Sequence, residues 1–388
     1  MDKLDELLTR GVAEVLPNRD SLKKLAESRK LRVYQGFDPT APELHIGHMV
    51  GLRKLKQWQD LGHEVIFLIG DFTGQIGDPT GKEETRPLLS KEIVQKNAKT
   101  YKEQAGKILD FNGKNPVKIM FNSNWLEKLS TAEFLNLASQ VTYQQVIKRG
   151  MFKKRLENDE DISMNEILYP VMQGYDSVAM DVDVEVGGSD QLFNMMMGRD
   201  LMHKMKRKNK FVMTTPLLVD SDGNKLGKTT GNAIALTAPS EEIFGGVMNF
   251  PDSAIIKALE YLTDVSLEEI KAMEKEIQNG VNPIQYKKLL AFEIVKQLSG
   301  QEAATKAQKE FESKFQKGNL PQSFDVKVKA DTSILDAVTT LIDSKSQVKR
   351  LLDQGAIEID GKVATDGKVK LSKGQALKVG KKIFAKVE

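Results

Sequence analysis

The chain has 388 residues, of which 40% are hydrophobic and 29% charged, a composition typical of a globular protein with two or three domains and not of a disordered one. It contains no cysteine, which excludes disulfides, thiolate metal sites and a cysteine nucleophile and, with a start that lacks a signal-peptide pattern, favours a cytoplasmic protein without a membrane partner. The formal net charge of +3 excludes a general polycation, so binding of nucleic acid requires a local basic region.

Between residue 31 and about residue 210, short β-rich runs alternate with helical patterns, which predicts strand–helix–strand units and a mostly parallel sheet. The predicted strands cover residues 32–36, 64–69, 117–121 and 182–186. Apolar residues at helical spacing join the first two strands and stop before Gly62, which predicts a crossover helix. Ser163 and Glu166 match a capping box that opens a later helix. The predicted fold class is therefore α/β, with a Rossmann-like parallel-sheet domain over residues 1–236.

The second half of the chain changes character. After Thr237 helix formers dominate, with another capping box at Ser266 and Glu269, and we expect a helical domain over residues 237–317. A polar, turn-rich stretch over residues 318–330 is interpreted as a linker. Residues 331–388 then form a small α+β domain. Residues 345–388 contain ten Lys and one Arg against five acidic residues, so the basic region lies here.

Two of the four histidines fall in the segment His45-Ile46-Gly47-His48, directly after a predicted strand and in the first turn of a helix. At this spacing the imidazoles share one helix face, beside backbone N–H groups and the positive end of the helix dipole, which predicts an anion site. Gly47 lets a planar group approach the backbone. A surface helix with two incidental histidines is the alternative, and a metal site lacks the HExxH pattern that would support it.

The loop of residues 222–231 carries Lys225 and Lys228 on either side of Gly227, and two lysines in a glycine-rich loop suit phosphates. The loop is not a P-loop, because Asp222 stands where that motif needs a glycine and no strand immediately precedes it. The sequence is compatible with two interpretations of this loop, a lid that closes over phosphates and a solvated turn.

Two further loops, residues 74–82 and 187–191, follow predicted strands, and loops at the carboxyl ends of parallel strands converge on the ligand crevice of an open sheet. They bring carboxylates, an amide, Lys82 and the nearby Arg86 to that edge. Neither loop is a GxGxxG fingerprint, so a nicotinamide oxidoreductase has little support.

Taken together, these motifs resemble a known family. Residues 45–48 resemble the HIGH motif, and residues 225–229 the KMSKS loop, of class I aminoacyl-tRNA synthetases. Residues 34–40, 76–79, 169–176 and 187–191 resemble the bacterial tyrosyl branch of that class, and residues 346–361 resemble a small RNA-binding fold found in a ribosomal protein. The KMSKS-like loop departs from the pattern at Leu226, Gly227 and Thr229 but keeps both lysines, and the role of Gln35 is undetermined.

The resemblance implies that tyrosine attacks the α-phosphate of ATP and that the tyrosyl group then passes to the 3′ end of tRNA(Tyr). It implies that residues 1–236 bind ATP and tyrosine, with Mg²⁺ accompanying ATP and no dedicated protein metal site, that the basic domain binds tRNA, and that the protein is a homodimer. The implied catalytic residues are Thr40, His45, His48, Lys82, Arg86, Lys225, Lys228 and Thr229. The implied tyrosine-binding residues are Tyr34, Asp78, Tyr169, Gln173, Asp176 and Gln191. The implied ATP- or adenylate-binding residues are Gly36, Asp38, Gly47, Gly188, Asp190 and Leu226.

Two alternatives differ in function. Tryptophan could be the amino acid, since the two synthetases share an architecture, but Tyr34 and Asp176 suit a phenol hydroxyl. A non-catalytic RNA-binding protein would explain the basic domain, but it would leave the histidine pair, the lysine loop and the acidic loops unexplained.

Overall fold

The computed structural model describes residues 2–80, 88–148, 150–219, 223, 226, 233–315, 326–342, 344–380 and 383–388. The chain divides into two compact units, Met1–Gln301 and Glu302–Glu388. Within the described ranges, no helix combines the length and the apolar character that a membrane span needs.

A six-stranded sheet organises the first unit. Its strands are β1 (Glu14–Leu16), β2 (Arg32–Phe37), β3 (Glu64–Ile69), β4 (Lys118–Phe121), β5 (Val184–Gly188) and β6 (Phe211–Thr215), in the spatial order β1-β6-β5-β2-β3-β4. All neighbouring pairs are parallel except β1 and β6, which are antiparallel. This confirms the predicted α/β class with a mostly parallel sheet.

Helices surround this sheet and continue beyond it. Those that precede β6 are α1 (Lys3–Thr9), α2 (Arg19–Ser28), α3 (Ile46–Asp60), α4 (Thr73–Ile76), α5 (Lys91–Ala98), α6 (Tyr101–Ala105), α7 (Ser123–Leu126), α8 (Thr131–Ser139), α9 (Tyr143–Ile147), α10 (Gly150–Glu157), α11 (Met164–Met180) and α12 (Leu192–Lys206). Those that follow it are α13 (Ser240–Met248), α14 (Ile255–Leu262), α15 (Leu267–Gln278), α16 (Ile284–Ser299) and α17 (Gln301–Phe315). Single 3₁₀ turns cover Ser189–Gln191 and Asp252–Ala254. The helical pattern predicted for residues 240–315 is therefore confirmed.

Local sequence signals explain several element boundaries. The crossover helix is α3, which buries Leu52, Leu55 and Trp58 and ends before Gly62, where φ is +87°. Both predicted capping boxes form: the Ser163 N–H donates to Glu166 Oε2 at 3.0 Å, and the Ser266 N–H donates to Glu269 Oε2 at 3.0 Å.

The predicted strand at residues 182–186 begins two residues late, at Val184. Asp181 and Val182 instead cap the C-terminus of α11, since Asp181 adopts a left-handed conformation with φ +50° and the Val182 N–H donates to the Ser177 carbonyl.

The strand order creates a crevice beside β2. The chain runs from β2 outward through β3 and β4, and it then returns to build β5 and β6 on the other side of β2. Loops after β2 and β5 therefore leave the sheet in opposite directions at its carboxyl edge, which is where open α/β sheets bind ligands.

The second unit has its own sheet and its own core. After α17 it contains β7 (Val326–Val328), α18 (Ile334–Ile342), α19 (Lys345–Asp353), β8 (Ile357–Ile359), β9 (Lys362–Val363), β10 (Ala376–Val379) and β11 (Ile383–Val387). The strand order is β7-β11-β10-β8-β9, with only β7 and β11 parallel. Val338, Val348, Ile357 and Leu377 are fully buried in this core.

Candidate active site

A cleft of about 290 Å³ lies at the carboxyl edge of the parallel strands. Side chains and backbone from β2, α3, α11, β5 and the segment after β6 line it. The sequence-predicted site residues that line this one cleft are Tyr34, Gly36, Asp38, His45, Gly47, His48, Asp78, Tyr169, Gln173, Asp176, Gly188, Asp190, Gln191 and Leu226. Residues far apart in the chain therefore meet in a single site.

The remaining predicted residues are one exposed threonine and five residues that the structure does not describe. Thr40 is exposed in the turn after β2, where its N–H donates to the Asp38 carbonyl at 2.8 Å, and it does not line the cleft. Lys82, Arg86, Lys225, Lys228 and Thr229 lie outside the described residues.

Described residues near the lysine loop contact the site. The Leu226 N–H donates to the Leu218 carbonyl at 2.8 Å, and both residues line the cleft. Further along the chain, the Ile46 N–H donates to the Ile234 carbonyl at 3.0 Å, at the start of α3. Backbone pairing thus connects residue 234 to the histidine segment.

The two histidines form the N-terminus of α3. His45 is the N-cap residue, and its Nδ1 accepts from the Gly47 N–H at 3.1 Å, while the His45 N–H donates to His48 Nδ1 at 3.0 Å. The ring centroids are 3.9 Å apart. An Nδ1 atom that accepts a hydrogen bond carries no proton, so each neutral ring carries its proton on Nε2 and can donate it to an anion.

A buried polar pair occupies another part of the cleft. Tyr34 on β2 and Asp176 on α11 are 1% and 2% exposed, and both line the cleft. Trp125 Nε1–H donates to Asp176 Oδ1 at 2.8 Å, and Asn122 Nδ2–H donates to Asp176 Oδ2 at 3.3 Å. The carboxylate is therefore held in one orientation, and each oxygen keeps a lone pair for a ligand.

Burial dominates the protonation of this pair. It raises the pKa of the Tyr34 hydroxyl well above its usual value, and the nearby Glu185 and Asp176 carboxylates raise it further. Burial also raises the pKa of Asp176, although the hydrogen bonds from Trp125 and Asn122 oppose that shift. Tyr34 therefore enters the site as a neutral hydroxyl that can both donate and accept.

A network of amides and a carboxylate forms a third part of the cleft. Gln191 Nε2–H donates to Asp78 Oδ2 at 2.6 Å. Asn194 Nδ2, fully buried, lies 2.9 Å from Gln173 Oε1 and 3.1 Å from Gln191 Oε1. These bonds orient the acceptor oxygens of Asp78, Gln173 and Gln191 around a common region, which suits an ammonium group.

Asp38 anchors the next part of the wall. It accepts from the Tyr169 hydroxyl at 2.7 Å and from the Thr73 hydroxyl at 2.7 Å. Gly70 permits this arrangement, since a Cβ there would lie 2.0 Å from Asp38 Oδ1. Burial, followed by the charges of Asp38 and Asp78, raises the pKa of Tyr169 and keeps it neutral.

Several residues of the site were not predicted from the sequence. Asn122 directly follows β4, and ligands bind at the carboxyl ends of parallel strands, so this position was a recognisable signal. Glu185 interrupts a buried apolar strand, which is also a recognisable signal. Asn194, Ser177 and Lys210 carry no local signal, because only tertiary packing brings α12, α11 and the residue before β6 together. Gln35, whose role was undetermined, also lines the cleft.

Comparison with known proteins identifies the family. A family model described as tRNA synthetases class I (W and Y) matches residues 26–316 and leaves the choice between tryptophan and tyrosine open. A tyrosine–tRNA ligase of Desulfotalea psychrophila is 44% identical over 395 residues, which cover 98% of this chain and 97% of that protein. One of Thermotoga maritima is 41% identical over 389 residues, which cover 98% of this chain and 96% of that protein. The chain belongs to the tyrosine–tRNA ligase family.

Solved tyrosine–tRNA ligase structures share the fold. The C-terminally truncated mitochondrial tyrosyl-tRNA synthetase of Aspergillus nidulans aligns with a TM-score of 0.70 at 25% identity, over 81% of this chain and 94% of that chain. The tyrosyl-tRNA synthetase of Archaeoglobus fulgidus, solved with L-tyrosine, aligns with a TM-score of 0.61 at 23% identity, over 79% of this chain and 98% of that chain. Family membership confirms the resemblance found in the motifs, and the tryptophan and non-catalytic alternatives are set aside.

Proposed function

We propose that the cleft is the site where the chain forms tyrosyl-adenylate, the first step of tyrosine–tRNA ligation. That ligation, which uses ATP, tyrosine and tRNA as substrates, is the activity of the family to which the chain belongs. The observation that carries the assignment of the site is the meeting of a buried hydroxyl–carboxylate pair, Tyr34 and Asp176, with the His45 and His48 helix N-terminus in one cleft.

Tyrosine fits the cleft with its phenol at the buried pair. The substrate hydroxyl donates to Asp176 and accepts from Tyr34, while its ammonium group lies among Asp78, Tyr169 and Gln173. Gln191 and Asp38 then face the reacting carboxylate. Phenylalanine in the same place would offer no hydroxyl to Asp176 and Tyr34, so the remaining hydrogen-bonding capacity of both buried groups would stay unsatisfied, which costs free energy that tyrosine does not lose.

The nucleotide occupies the side formed by α3 and the loop after β5. Gly47 and His48 face the ribose and base, Gly36 and Leu226 flank the adenylate, and Gly188 lets Asp190 reach the ribose hydroxyls. The tyrosine carboxylate attacks the α-phosphorus, a new P–O bond forms, and the bond to the leaving pyrophosphate breaks. Catalysis consists of positioning and of stabilising negative charge on the phosphates.

Charge on the phosphates is stabilised from several directions in this proposal. His45 donates from the N-terminus of α3, where the helix dipole also favours an anion. Thr40, Lys82, Arg86, Lys225, Lys228 and Thr229 supply the remaining donors. ATP enters as its magnesium complex, so the metal arrives with the substrate.

The second unit is proposed to bind tRNA. Residues 345–388, which include α19 and strands β8 to β11, contain ten Lys and one Arg against five acidic residues, and phosphate contacts of this kind supply affinity without reading sequence. With residues 1–236 as the catalytic domain, 237–317 as a helical domain and 318–330 as a linker, activation and tRNA binding lie on different parts of the chain.

We also propose that the protein is a cytoplasmic homodimer. The support is a group of large apolar side chains that are exposed on the mutually packed helices α8 to α11, namely Leu135, Tyr143, Leu156 and Met164. The solution mass measured by light scattering tests this, and a mass of one chain at micromolar concentration contradicts it.

The test of the site is ATP–pyrophosphate exchange with tyrosine, phenylalanine and tryptophan. The parent protein should exchange with tyrosine and not with the other two. Asp176→Asn keeps the size of the side chain but replaces one acceptor oxygen with a donor, so it should lower kcat/KM for tyrosine by about 10²-fold and leave the KM for ATP near its parent value. Asp200→Asn, an exposed substitution on neighbouring α12, is the matched control. Unchanged tyrosine exchange in Asp176→Asn contradicts the placement of the phenol.

A further inference from the structure

A buried lysine lies behind the phenol end of the cleft. Lys210, directly before β6, is 0% exposed. Its Nζ forms a short ion pair with Glu185 and donates to the Ser177 hydroxyl at 2.9 Å. Ser177 in turn lies 2.8 Å from the Tyr34 hydroxyl. We call Lys210, Glu185, Ser177 and Tyr34 the Lys210 cluster.

Such a cluster is expensive to bury, so its position calls for a physical reason. Removing two charges from water costs free energy that their mutual attraction need not recover, and an apolar pair of similar size would usually serve stability as well. The packing around the cluster is also specialised: a Cβ on Gly198 of α12 would lie 2.6 Å from Lys210 Nζ and 2.7 Å from Ser177 Oγ. The absence of a side chain at position 198 leaves room for the ammonium group.

Lys210 does not line the cleft, but two of its cluster partners do. Tyr34 provides the hydroxyl at the phenol end, and Glu185 lines the wall beside it. Lys210 therefore acts on a bound substrate only through these neighbours, as a positioning residue.

The protons of the cluster can be counted. An ammonium group has no lone pair, so Lys210 donates to Ser177 and cannot accept from it. Among the described residues, the Ser177 hydroxyl has two hydrogen-bond partners, Lys210 and Tyr34. If the single Ser177 proton is to have an acceptor, it must point to the Tyr34 oxygen. The Tyr34 proton is then directed away from Ser177, toward the side where Glu185 and the cleft lie.

Glu185 is the competing acceptor, and Lys210 also controls it. The charge of the Glu185 carboxylate and a hydrogen-bond interaction with it both raise the pKa of Tyr34, so Glu185 competes with the substrate for the Tyr34 proton, and it would compete more strongly without its ion pair to Lys210. Without the ammonium group, Ser177 could donate to Glu185 and accept from Tyr34. That exchange would turn the Tyr34 proton away from the substrate.

We propose that Lys210 is a positioning residue for tyrosine selection, because it fixes Ser177 as donor to Tyr34 and thereby makes Tyr34 a donor to the phenol oxygen of the substrate. The proposal rests on the proposed function of the cleft. The phenol then donates to Asp176 and accepts from Tyr34, and the two bonds cannot exchange direction.

The test is a double-mutant cycle on kcat/KM for tyrosine in ATP–pyrophosphate exchange, with Lys210→Met and Tyr34→Phe. Lys210→Met should lower this constant about 3–10-fold in the parent and leave it unchanged in the Tyr34→Phe background, because no hydroxyl remains to be oriented. The KM for ATP should stay the same in all four proteins. An equal loss in both backgrounds indicates a merely structural role and overturns the proposal.

Lys210→Met leaves Glu185 unpaired and could prevent folding, so a second comparison is included. Lys210→Met with Glu185→Gln is compared with Glu185→Gln alone, which isolates the donation from Lys210 without a buried unpaired carboxylate. Loss of Lys210 in the Glu185→Gln background should again lower kcat/KM for tyrosine about 3–10-fold. This loss should again be absent when Tyr34→Phe is added. Equal values of kcat/KM for tyrosine in the Glu185→Gln variants with and without Lys210 overturn the proposal.

Lys54→Met is the matched control, since Lys54 is also buried but donates to the Leu7 carbonyl of α1 and to Gln57 and does not line the cleft. It should leave kcat/KM for tyrosine unchanged. Exchange by the parent protein distinguishes the two proposals. Absence of any tyrosine-dependent exchange in the parent contradicts the proposed function of the cleft. Normal exchange in both the parent and the Lys210→Met variant contradicts only the role of Lys210.

Discussion

At the scale of single residues, His45 combines two tasks in one imidazole. Its Nδ1 caps α3 by accepting from the Gly47 N–H, and its Nε2–H is the donor that we assign to the phosphates. The first task stabilises the helix, and the second matters most when charge develops on the leaving pyrophosphate. The two tasks can be separated by substitution, because asparagine is a good N-cap residue but lacks the second nitrogen.

We predict that His45→Ala lowers the free energy of unfolding by about 0.5–2 kcal/mol and the rate constant of adenylate formation by about 10²-fold. His45→Asn should restore most of the stability and none of the rate. Dissociation constants for tyrosine and ATP should change little in either variant, since the interaction is strongest in the transition state. Stopped-flow measurement of adenylate formation and equilibrium binding supply these values. Ground-state binding that weakens as much as the rate would rule out this role.

The sequence predicted residues of the cleft where chemistry and strand ends coincide. Gly188 stands at the end of β5 and the HIGH-like segment opens a helix, so local patterns predict both regions, whereas Asp38, directly after β2, is predicted only by the family resemblance. Lys210 was not predicted, because nothing in its neighbourhood in the chain distinguishes a buried lysine from an exposed one. Its partners Ser177 and Glu185 come from α11 and β5, and only tertiary packing brings them together.

At the scale of elements, Asp183 fastens the start of β5 to α2 and β2. Its carboxylate accepts from Arg29 at 2.7 and 2.9 Å, from the Arg32 N–H at 2.9 Å, and it lies 3.0 Å from Lys208. Burial opposes ionisation of Asp183, but these partners outweigh it and lower its pKa to about 2. The folded-state pKa is therefore below the unfolded value, so the stabilisation is complete above pH ~4 and is lost as the pH falls toward 2.

We predict that Asp183→Asn lowers the free energy of unfolding at pH 7 by about 1–3 kcal/mol, since charged hydrogen bonds are lost in a mostly buried position. The difference from the parent protein should shrink between pH 4 and pH 2. Asp181→Asn is the control, because Asp181 forms an exposed contact with Lys208, and asparagine tolerates the left-handed conformation at that position. Urea unfolding at several pH values measures both variants, and a difference that stays constant down to pH 2 contradicts the assignment.

The elements that the sequence predicted are those with strong local patterns. The continuous apolar run of β3 and the helical spacing of α3 identified the central βαβ unit. β1 was not predicted, because it has only three residues and exists through antiparallel pairing with β6. β6 was not predicted either, since its sequence Phe211–Thr215 shows neither alternation of polar and apolar residues nor a long apolar run, because two threonines end it.

At the scale of the whole molecule, the two units have separate cores. The core of the second unit consists of residues from Val328 to Val387, and all residues that line the cleft lie between Tyr34 and Leu226. Removal of the chain after Phe315 therefore deletes one core completely and none of the cleft.

We predict that this truncation leaves tyrosine-dependent pyrophosphate exchange within about twofold of the parent value and lowers tRNA charging at least about tenfold, because the phosphate contacts are lost. Charging by the full chain should fall more steeply with salt than charging by the truncated chain. Circular dichroism verifies that the remainder is folded. Charging that survives the truncation contradicts the tRNA-binding role of the second unit, and failed exchange in a folded protein contradicts the separation of the two functions.

The hydrogen bond between Trp125 and Asp176 allows tyrosine binding to be followed by tryptophan fluorescence. The chain contains only two tryptophans, and one of them touches the carboxylate that we assign to the phenol. Trp58 is buried in α3 with an indole N–H that has no hydrogen-bond partner among the described residues, so Trp58→Phe removes an unsatisfied donor. In that variant a single tryptophan remains, and its emission, excited at a wavelength that tyrosine does not absorb, should shift when tyrosine binds and stay constant when ATP alone is added. The protein thus carries its own optical probe that distinguishes the binding of tyrosine from the binding of ATP.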